Sequence, residues 1–433
     1  MNILITGANG FIGSHITQEL INHGHHLTLC VRNTETVERR WPDAKSIKMD
    51  FCNKNKVADW LPHLNKIDLV INSVGIIRET GSQTFTALHT TTPSALFKAC
   101  EIANVKKVIQ ISALGTDANA LSQYHRSKYA ADQYLASLSL NWAILMPSIV
   151  YGSGAKSMAF FKSLAALPWI PLVDKGDQPI QPIHIDDLVK AVLQLIPKES
   201  ANQLRIACVG PEAITFKQLF TQLRQWLSLP PGRFISMGYH LTLIAGKFGG
   251  FLGNTPVTTE TIQMLRQGNT ADVTPFIKQF GFTPISVETS LSNTPATTAD
   301  KWHAGLYFLR PLLRISIALL WIFTGIVSAF VFPVEQSYAM LAMAGITGSW
   351  APFMLYGAAA TDIALGVATL LAYRLNLVGM TQIAIIVLYT TIISATQAEQ
   401  WLHPFGPISK NIPLIIATLI MLVLERERWN TKR

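Results

Sequence analysis

Residues 2–33, NILITGANGFIGSHITQELINHGHHLTLCVRN, decide the fold. Asn2–Thr6 is a short β-rich run, and Gly7, Gly10 and Gly13 follow it in G-x-x-G-x-x-G spacing. FIGSHITQELINHG then carries apolar residues at helical intervals and stops at Gly24, suited to the position just past a helix end. HLTLCVR reads as a second strand. Strand, glycine turn, helix, strand is how a parallel α/β sheet that binds a dinucleotide begins. The glycines let the turn close, let backbone approach a pyrophosphate and let the helix pack tightly, while the helix N-terminus faces the anion. Gly7, Asn9, Gly10, Phe11, Ile12 and Gly13 are therefore the first candidate cofactor contacts.

Where the second strand ends, an NAD site usually offers an acid to the ribose hydroxyls. This chain has Arg32 there, in CVRNTETVERR, and a guanidinium suits a 2′-phosphate. NADP is the expected cofactor, with NAD the alternative. SIKMDF follows, placing Asp50 and Phe51 to border the adenine. IDLVINSVG is a continuous apolar strand of the kind found in sheets covered on both faces. Its end, with Asn72 and Ser73, should lie near the middle of the cofactor. A helix over roughly 84–103 leads to VKKVIQISALG, a buried strand ending at Ser112. Residues 122–132, SQYHRSKYAAD, then set Tyr124 and Lys128 on one helical face. PSIVYG, beginning at Pro147, marks where a second lobe starts.

TGANGFIG, Asp50, NSVG, ISALG, YHRSK, PSIVYG and PIHIDDL, in that order, resemble the short-chain dehydrogenase/reductase superfamily. Within it the pattern is similar to the atypical and extended members, among them the NAD-dependent epimerase/dehydratases and the accessory subunit of NADH-ubiquinone oxidoreductase. The resemblance covers about residues 1–290, including CVGPEAITFKQL and GFTPISVETSL in the substrate lobe. It implies a catalytic set in which Tyr124 is the acid/base, Lys128 its partner and Ser112 the hydroxyl holding the substrate oxygen. A free phenol titrates near 10. An adjacent ammonium, with the positive nicotinamide of an oxidised cofactor, is expected to lower that value. Ser148 has an open substrate role. His184 and Asp186 are expected to pack the substrate lobe onto the nucleotide domain, since no ligand cluster with metal spacing accompanies them.

The chain has 433 residues, only 14% of them charged, and a net charge of +9. Residues 301–433 carry nine Lys/Arg against five Asp/Glu, and no basic run is interleaved with aromatics, so nucleic acid is not an expected partner. The four cysteines, Cys30, Cys52, Cys100 and Cys208, lie far apart and read as buried apolar residues in a reducing compartment. MNILITGANG lacks the pattern of a signal peptide, so the first domain is expected on the cytoplasmic side.

NTPATTADKW, 293–302, is a polar boundary that divides the chain into a dinucleotide domain with its substrate lobe, 1–300, and a membrane domain, 301–433. Four apolar stretches follow at 315–333, 351–373, 377–396 and 412–424, each read as a transmembrane helix of a four-helix bundle. Arg310, Arg314, Arg374, Arg426, Arg428, Lys432 and Arg433 cluster at one side of these spans. By the positive-inside rule both termini face the cytoplasm, in an inner membrane. The region from about 305 to 430 resembles the DoxX-like membrane family, through HPFGPISKNIPLI and the intramembrane Asp362. YHLTLIAGKFGGFLG, 239–253, reads as part of the substrate lobe. Together these features lead to an expected membrane-anchored oxidoreductase. Its partners would be a small lipophilic substrate such as a quinone or other carbonyl, membrane lipid, and proteins in the same membrane. Two rivals stand beside it: a nucleotide-binding assembly or sensor protein of a respiratory complex without turnover, and a sugar-nucleotide epimerase or dehydratase.

Overall fold

The computed structural model describes residues 1–197, 202–238, 242 and 259–426. The chain forms two compact units, Met1–Ala304 and Gly305–Arg433.

The first unit is built on seven parallel strands: β1 (Asn2–Thr6), β2 (His26–Val31), β3 (Lys45–Lys48), β4 (Leu69–Asn72), β5 (Lys107–Ile111), β6 (Asn141–Pro147) and β7 (Leu204–Cys208). Their order across the sheet is β7-β6-β5-β4-β1-β2-β3. The chain reverses its direction of sheet growth between β1 and β4, so their carboxyl ends open a crevice. Helix α1 (Phe11–Asn22) crosses from β1 to β2, α2 (Thr34–Arg40) from β2 to β3, α3 (Thr92–Ile102) from β4 to β5, and α4 (Gln123–Ala136) from β5 to β6. One face of the sheet is closed by Ile16 and Leu20 of α1 with Leu188 and Val192 of helix Ile185–Gln194. The other is closed by Leu96, Phe97 and Cys100 of α3 with Ala131 and Leu135 of α4. Covering on both faces explains why β4 and β5 are buried along their whole length.

The substrate lobe has its own core of Tyr151, Met158, Leu172, Phe216, Leu219, Phe220 and Leu223. Its helix Phe216–Trp226 opens with a capping box, in which Thr215 accepts from the Gln218 N–H and the Gln218 side chain accepts from Thr215. His184 caps helix Ile185–Gln194, and the Ile183–His184 strand pairs with Val150–Tyr151. Thr242 apart, 239–253 lies outside the described residues.

Among the described residues, three helices are long and apolar enough to cross a bilayer: Thr298–Val331 taken with its terminal π-helical turn, Trp350–Leu370 and Leu375–Thr396. The fourth expected span is the shorter helix Asn411–Leu424, 14 residues, or about 21 Å of helix against a hydrocarbon layer of about 30 Å. The first of these helices starts much earlier than the apolar run at 315. Thr297 and Asp300 form a reciprocal cap, so the polar boundary stretch 293–302 also holds the start of the helix. Within the bundle the helices meet through small residues. A Cβ on Gly366 would lie 2.8 Å from the Ala318 carbonyl, and one on Gly325 2.6 Å from that of Ala359. Gln382 donates to Thr369 at 2.9 Å, and Arg310 and Arg314 each approach buried Glu425 at 3.7 Å. Large apolar side chains such as Phe323, Phe330, Phe353 and Leu371 remain exposed, as a lipid-facing surface requires.

Candidate functional site

The crevice at the sheet's carboxyl edge is lined first by the glycine turn. Gly7 leaves β1 with φ +74°, and the Gly10 N–H donates back to its carbonyl at 2.9 Å. Gly10 is the N-cap of α1 and brings no side chain to the first-turn amides, which leaves that helix end open to an anion. Gly13 is the tightest point: a Cβ there would lie 2.2 Å from the Gly7 carbonyl oxygen and 2.6 Å from Ser73 Oγ. Asn9 is exposed beside this turn, and Phe11 and Ile12 are partly buried. The three glycines bring no side chain of their own to the turn, which is what close approach of backbone to a pyrophosphate requires.

Arg32 is exposed at the end of β2, and among the described residues its guanidinium has no ion-pair partner. Asp50 accepts from the Cys52 N–H at 3.1 Å and so begins a short 3₁₀ turn. Phe51 is 5% exposed and packs edge-on against Trp60, so its ring belongs to the core. Asn72, expected to face the cofactor, is instead committed inward. It accepts from Thr6 at 2.5 Å and donates to Gln110 at 2.7 Å, a buried amide chain across three strands. Ser73 donates to the Thr6 carbonyl at 2.7 Å. The Pro147 carbonyl accepts from the Leu114 N–H, and the Ser148 hydroxyl donates to the Gln181 carbonyl at 2.5 Å.

Ser122 caps α4, its hydroxyl accepting from the His125 N–H, which sets Tyr124 in the first helical turn. The Tyr124 ring stands edge-on to His89, Phe85 and His125 at centroid distances of 5.3, 6.0 and 5.2 Å. Its hydroxyl makes no hydrogen bond among the described residues. Lys128, one turn on and 5% exposed, donates to the Ile111 carbonyl at 3.0 Å and lies 5.8 Å from the Tyr124 ring centroid. Burial lowers the Lys128 ammonium to about 8, although the Asp132 carboxylate pulls it back up. The Tyr124 phenol moves opposite to expectation: packing that desolvates it, and then the Asp132 charge, push it well above the ordinary phenol value. Ser112 also departs from its expected part. It is 3% exposed, and its hydroxyl donates to the Asp132 carboxylate.

Sequence reasoning missed two residues here. Asp132, fully buried, stands four positions beyond Lys128 on the same helical face, a spacing that could have marked it. His89 comes from a π-helical turn, Thr86–Thr91, for which the sequence gives no signal. Its Nε2 accepts from the Ile76 N–H at 3.0 Å, which leaves Nδ1 to carry the proton toward Ser127 Oγ, also at 3.0 Å.

Burial holds His89 down to about 2 and His125 to about 4, and raises Asp132 to about 6. Both histidines therefore stay neutral in the fold, while the unfolded chain takes up protons below about 6.5. The unfolded state binds more protons there, so stability falls as pH drops from 6.5. Asp132 acts in the opposite sense. Its folded carboxyl keeps a proton that the unfolded one releases, so its contribution is regained as pH falls from about 6 toward 4. The loss should set in as pH falls through 6.5, and below about 6 the Asp132 gain offsets about one of the two histidine protons, so the slope levels off. His89→Gln, which can still accept from Ile76, should flatten the slope by about 1.4 kcal/mol per pH unit in denaturant-unfolding series.

Comparison with known proteins follows the same division. Residues 3–210 match the NAD dependent epimerase/dehydratase family, and residues 318–419 match the DoxX-like family. Over 238 residues the chain is 22% identical to subunit 9 of the NADH dehydrogenase [ubiquinone] 1 alpha subcomplex of Arabidopsis thaliana, covering 51% of this chain and 58% of that protein. Over 219 residues it is 24% identical to the ceramide reductase of Caulobacter vibrioides, covering 50% and 68%. The chain thus spans between 56% and 64% of the length of the subunit 9 relatives from plant, rodents and slime mould. The NADPH-dependent quinone oxidoreductase of Escherichia coli, complexed with NADPH, shares the fold with a TM-score of 0.55 at 16% identity, over 67% of this chain and 99% of that one. The chain thus joins an N-terminal domain of the NAD dependent epimerase/dehydratase type, matched over residues 3–210, to a DoxX-like domain, matched over residues 318–419.

Proposed function

We propose that this chain is a membrane-anchored, NADPH-dependent reductase acting on a lipophilic carbonyl or quinone-type substrate. The observation that carries the reading is the Tyr124 hydroxyl. It is unpartnered among the described residues, one helical turn from the Lys128 ammonium, beside the strand ends where a nicotinamide would rest. A bound nicotinamide dinucleotide would supply the hydride to the carbonyl carbon. Tyr124 supplies the proton to the substrate oxygen, and Lys128 offsets the charge left on the phenol. A phenol held above its usual range stays protonated, which suits it to donate in the reductive direction. Gly7, Gly10 and Gly13 would hold the pyrophosphate, and Arg32 the 2′-phosphate. The DoxX-like domain would keep the site at the bilayer surface with both termini in the cytoplasm, Arg310, Arg314 and Arg374 marking that side.

Binding tests the first step: the full chain in detergent is titrated with NADPH and NADH, and failure to bind either ends this reading. Arg32→Ala should weaken NADPH by about tenfold, the value of one charge-assisted contact at an exposed site, and leave NADH unchanged. Equal weakening of both would assign Arg32 to adenine stacking. A second reading has a specific observation in its favour. Ser112, the residue expected to orient a substrate, has its hydroxyl engaged as a hydrogen-bond donor to Asp132. The chain would then bind nucleotide as a structural part of a respiratory assembly, as its similarity to a subunit of NADH dehydrogenase suggests.

A further inference from the structure

Asp132 is a buried acid that the mechanism above does not use. It is 0% exposed, its Oδ2 accepts from Ser112, and its Oδ1 is buried with the Gln110 side chain beside the carboxyl. The charged and polar groups facing it come from every element around it: Lys128 and Tyr124 on its own helix, Ser112 and Gln110 at the end of β5, and Arg205 on β7. A hydroxyl has one proton and two acceptor positions. While Ser112 donates to a carboxylate, it can meet a substrate oxygen only as an acceptor. Once that carboxylate is protonated, the acid can donate to Ser112 Oγ, and the Ser112 proton is free to turn toward the crevice.

We propose that Asp132 is a positioning residue that sets the direction of the Ser112 hydroxyl: ionised, it turns Ser112 into an acceptor, and protonated, it makes Ser112 a donor to a carbonyl oxygen. The inference rests on the reductase reading for the identity of the substrate oxygen, but the sharing of a proton between Asp132 and Ser112 does not. No covalent bond changes at Asp132. The transferred proton still comes from Tyr124; Asp132 would reach the substrate oxygen through its hydrogen bond with Ser112, while its charge also raises the Tyr124 phenol. Burial already brings the carboxyl close to neutral pH, so both states are accessible in a cell. The raised phenol and the donor form of Ser112 belong to the same reductive direction, in which the substrate arrives as a carbonyl needing hydrogen-bond donors.

Two measurements on the full chain in lipid nanodiscs test this. The first needs neither cofactor nor substrate. pH-difference infrared spectra should show the C=O stretch of a buried protonated carboxyl that is absent in Asp132→Asn. In Ser112→Ala its midpoint should move upward by about 1–2 pH units, because the carboxylate loses a charge-assisted donor. A band indifferent to Ser112→Ala, or no band assignable to Asp132, overturns the proposal. The Ser112→Ala arm stands even if Asp132→Asn does not fold. The second measurement uses 9,10-phenanthrenequinone and NADPH as a probe pair. kcat/KM in the wild type should rise toward low pH along a limb set by Asp132. Asp132→Asn, whose amide donates to Ser112 permanently, should give a flat profile at the acid plateau, about tenfold above wild type at the alkaline end. A merely structural role would slow the variant at every pH and keep the limb, and that result also overturns the proposal. If the wild type leaves the probe untouched, the reductase reading fails with it, while the infrared arm still decides whether Asp132 and Ser112 share the proton.

Discussion

Tyr124→Phe is expected to lower NADPH-dependent turnover by about 10²–10⁴-fold, the usual contribution of a positioned acid, with dinucleotide affinity changed by no more than about twofold. The substitution isolates chemistry from structure unusually well at this site. The aromatic ring stays, so its edge contacts with His89, Phe85 and His125 persist. The hydroxyl makes no hydrogen bond among the described residues, so its removal leaves no buried partner stranded. Unfolding midpoints should therefore agree with wild type to about 0.5 kcal/mol, as for substitutions that touch no special feature. Steady-state oxidation of NADPH, with the dinucleotide titrated separately, measures both quantities. Undiminished turnover would remove Tyr124 from the chemistry. An activity deficit together with a matching loss of stability would mean that the variant reports packing instead.

The same residues show how far the sequence could be read. Strand, glycine turn and helix at the N-terminus are local features, written in the alternation of β-rich and helical spacing and in Gly7, Gly10 and Gly13. Each strand end named from the sequence does lie at the carboxyl edge, because a parallel sheet puts all its strand ends on one side. What the side chains do there depends on neighbours distant in sequence. Asn72 sits at the expected strand end, yet its amide is used by Thr6 and Gln110 on the two flanking strands. Lys128 was expected to draw the phenol down, but that reasoning omitted burial and a second charge, Asp132, acting in the opposite sense.

Hydrophobic runs locate membrane helices better than they locate their ends. The run at 315 gave a span but hid the seventeen preceding residues of the same helix, Thr298 to Arg314. Polar composition there marked a domain boundary, and Thr297-x-x-Asp300, which carries the spacing of a capping box, could also have marked the helix start. Pro311 lies within that helix, against the usual rule that proline ends one. Arg310 and Arg314 looked like simple topology markers. In the folded bundle they also neutralise Glu425, a charge that could not otherwise be buried.

Gly13→Ala tests the premise beneath both functional readings, that a pyrophosphate lies on the glycine turn. One added methyl would stand 2.2 Å from the Gly7 carbonyl oxygen, 2.6 Å from Ser73 Oγ and 2.9 Å from the Gly7 carbonyl carbon. Two of those atoms are backbone, so no flexible side chain can yield. Either Gly7 moves away from α1 or the helix is pushed off β4, and both movements displace the open first-turn amides of α1. Overpacking of this kind costs about 1–3 kcal/mol, which corresponds to about 10–100-fold in NADPH affinity if the strain falls on the turn. Gly10→Ala is the internal control. Its Cβ would meet only the Gly7 carbonyl, at 3.1 Å, and its φ of −74° suits any residue, so its effect should be several times smaller. Kd for NADPH and Tm measured on both variants should rank Gly13→Ala far below Gly10→Ala in affinity. Wild-type affinity in Gly13→Ala would mean that a ligand, if one binds, rests elsewhere than on this turn. In that case the site around Tyr124 would have no dinucleotide to work with.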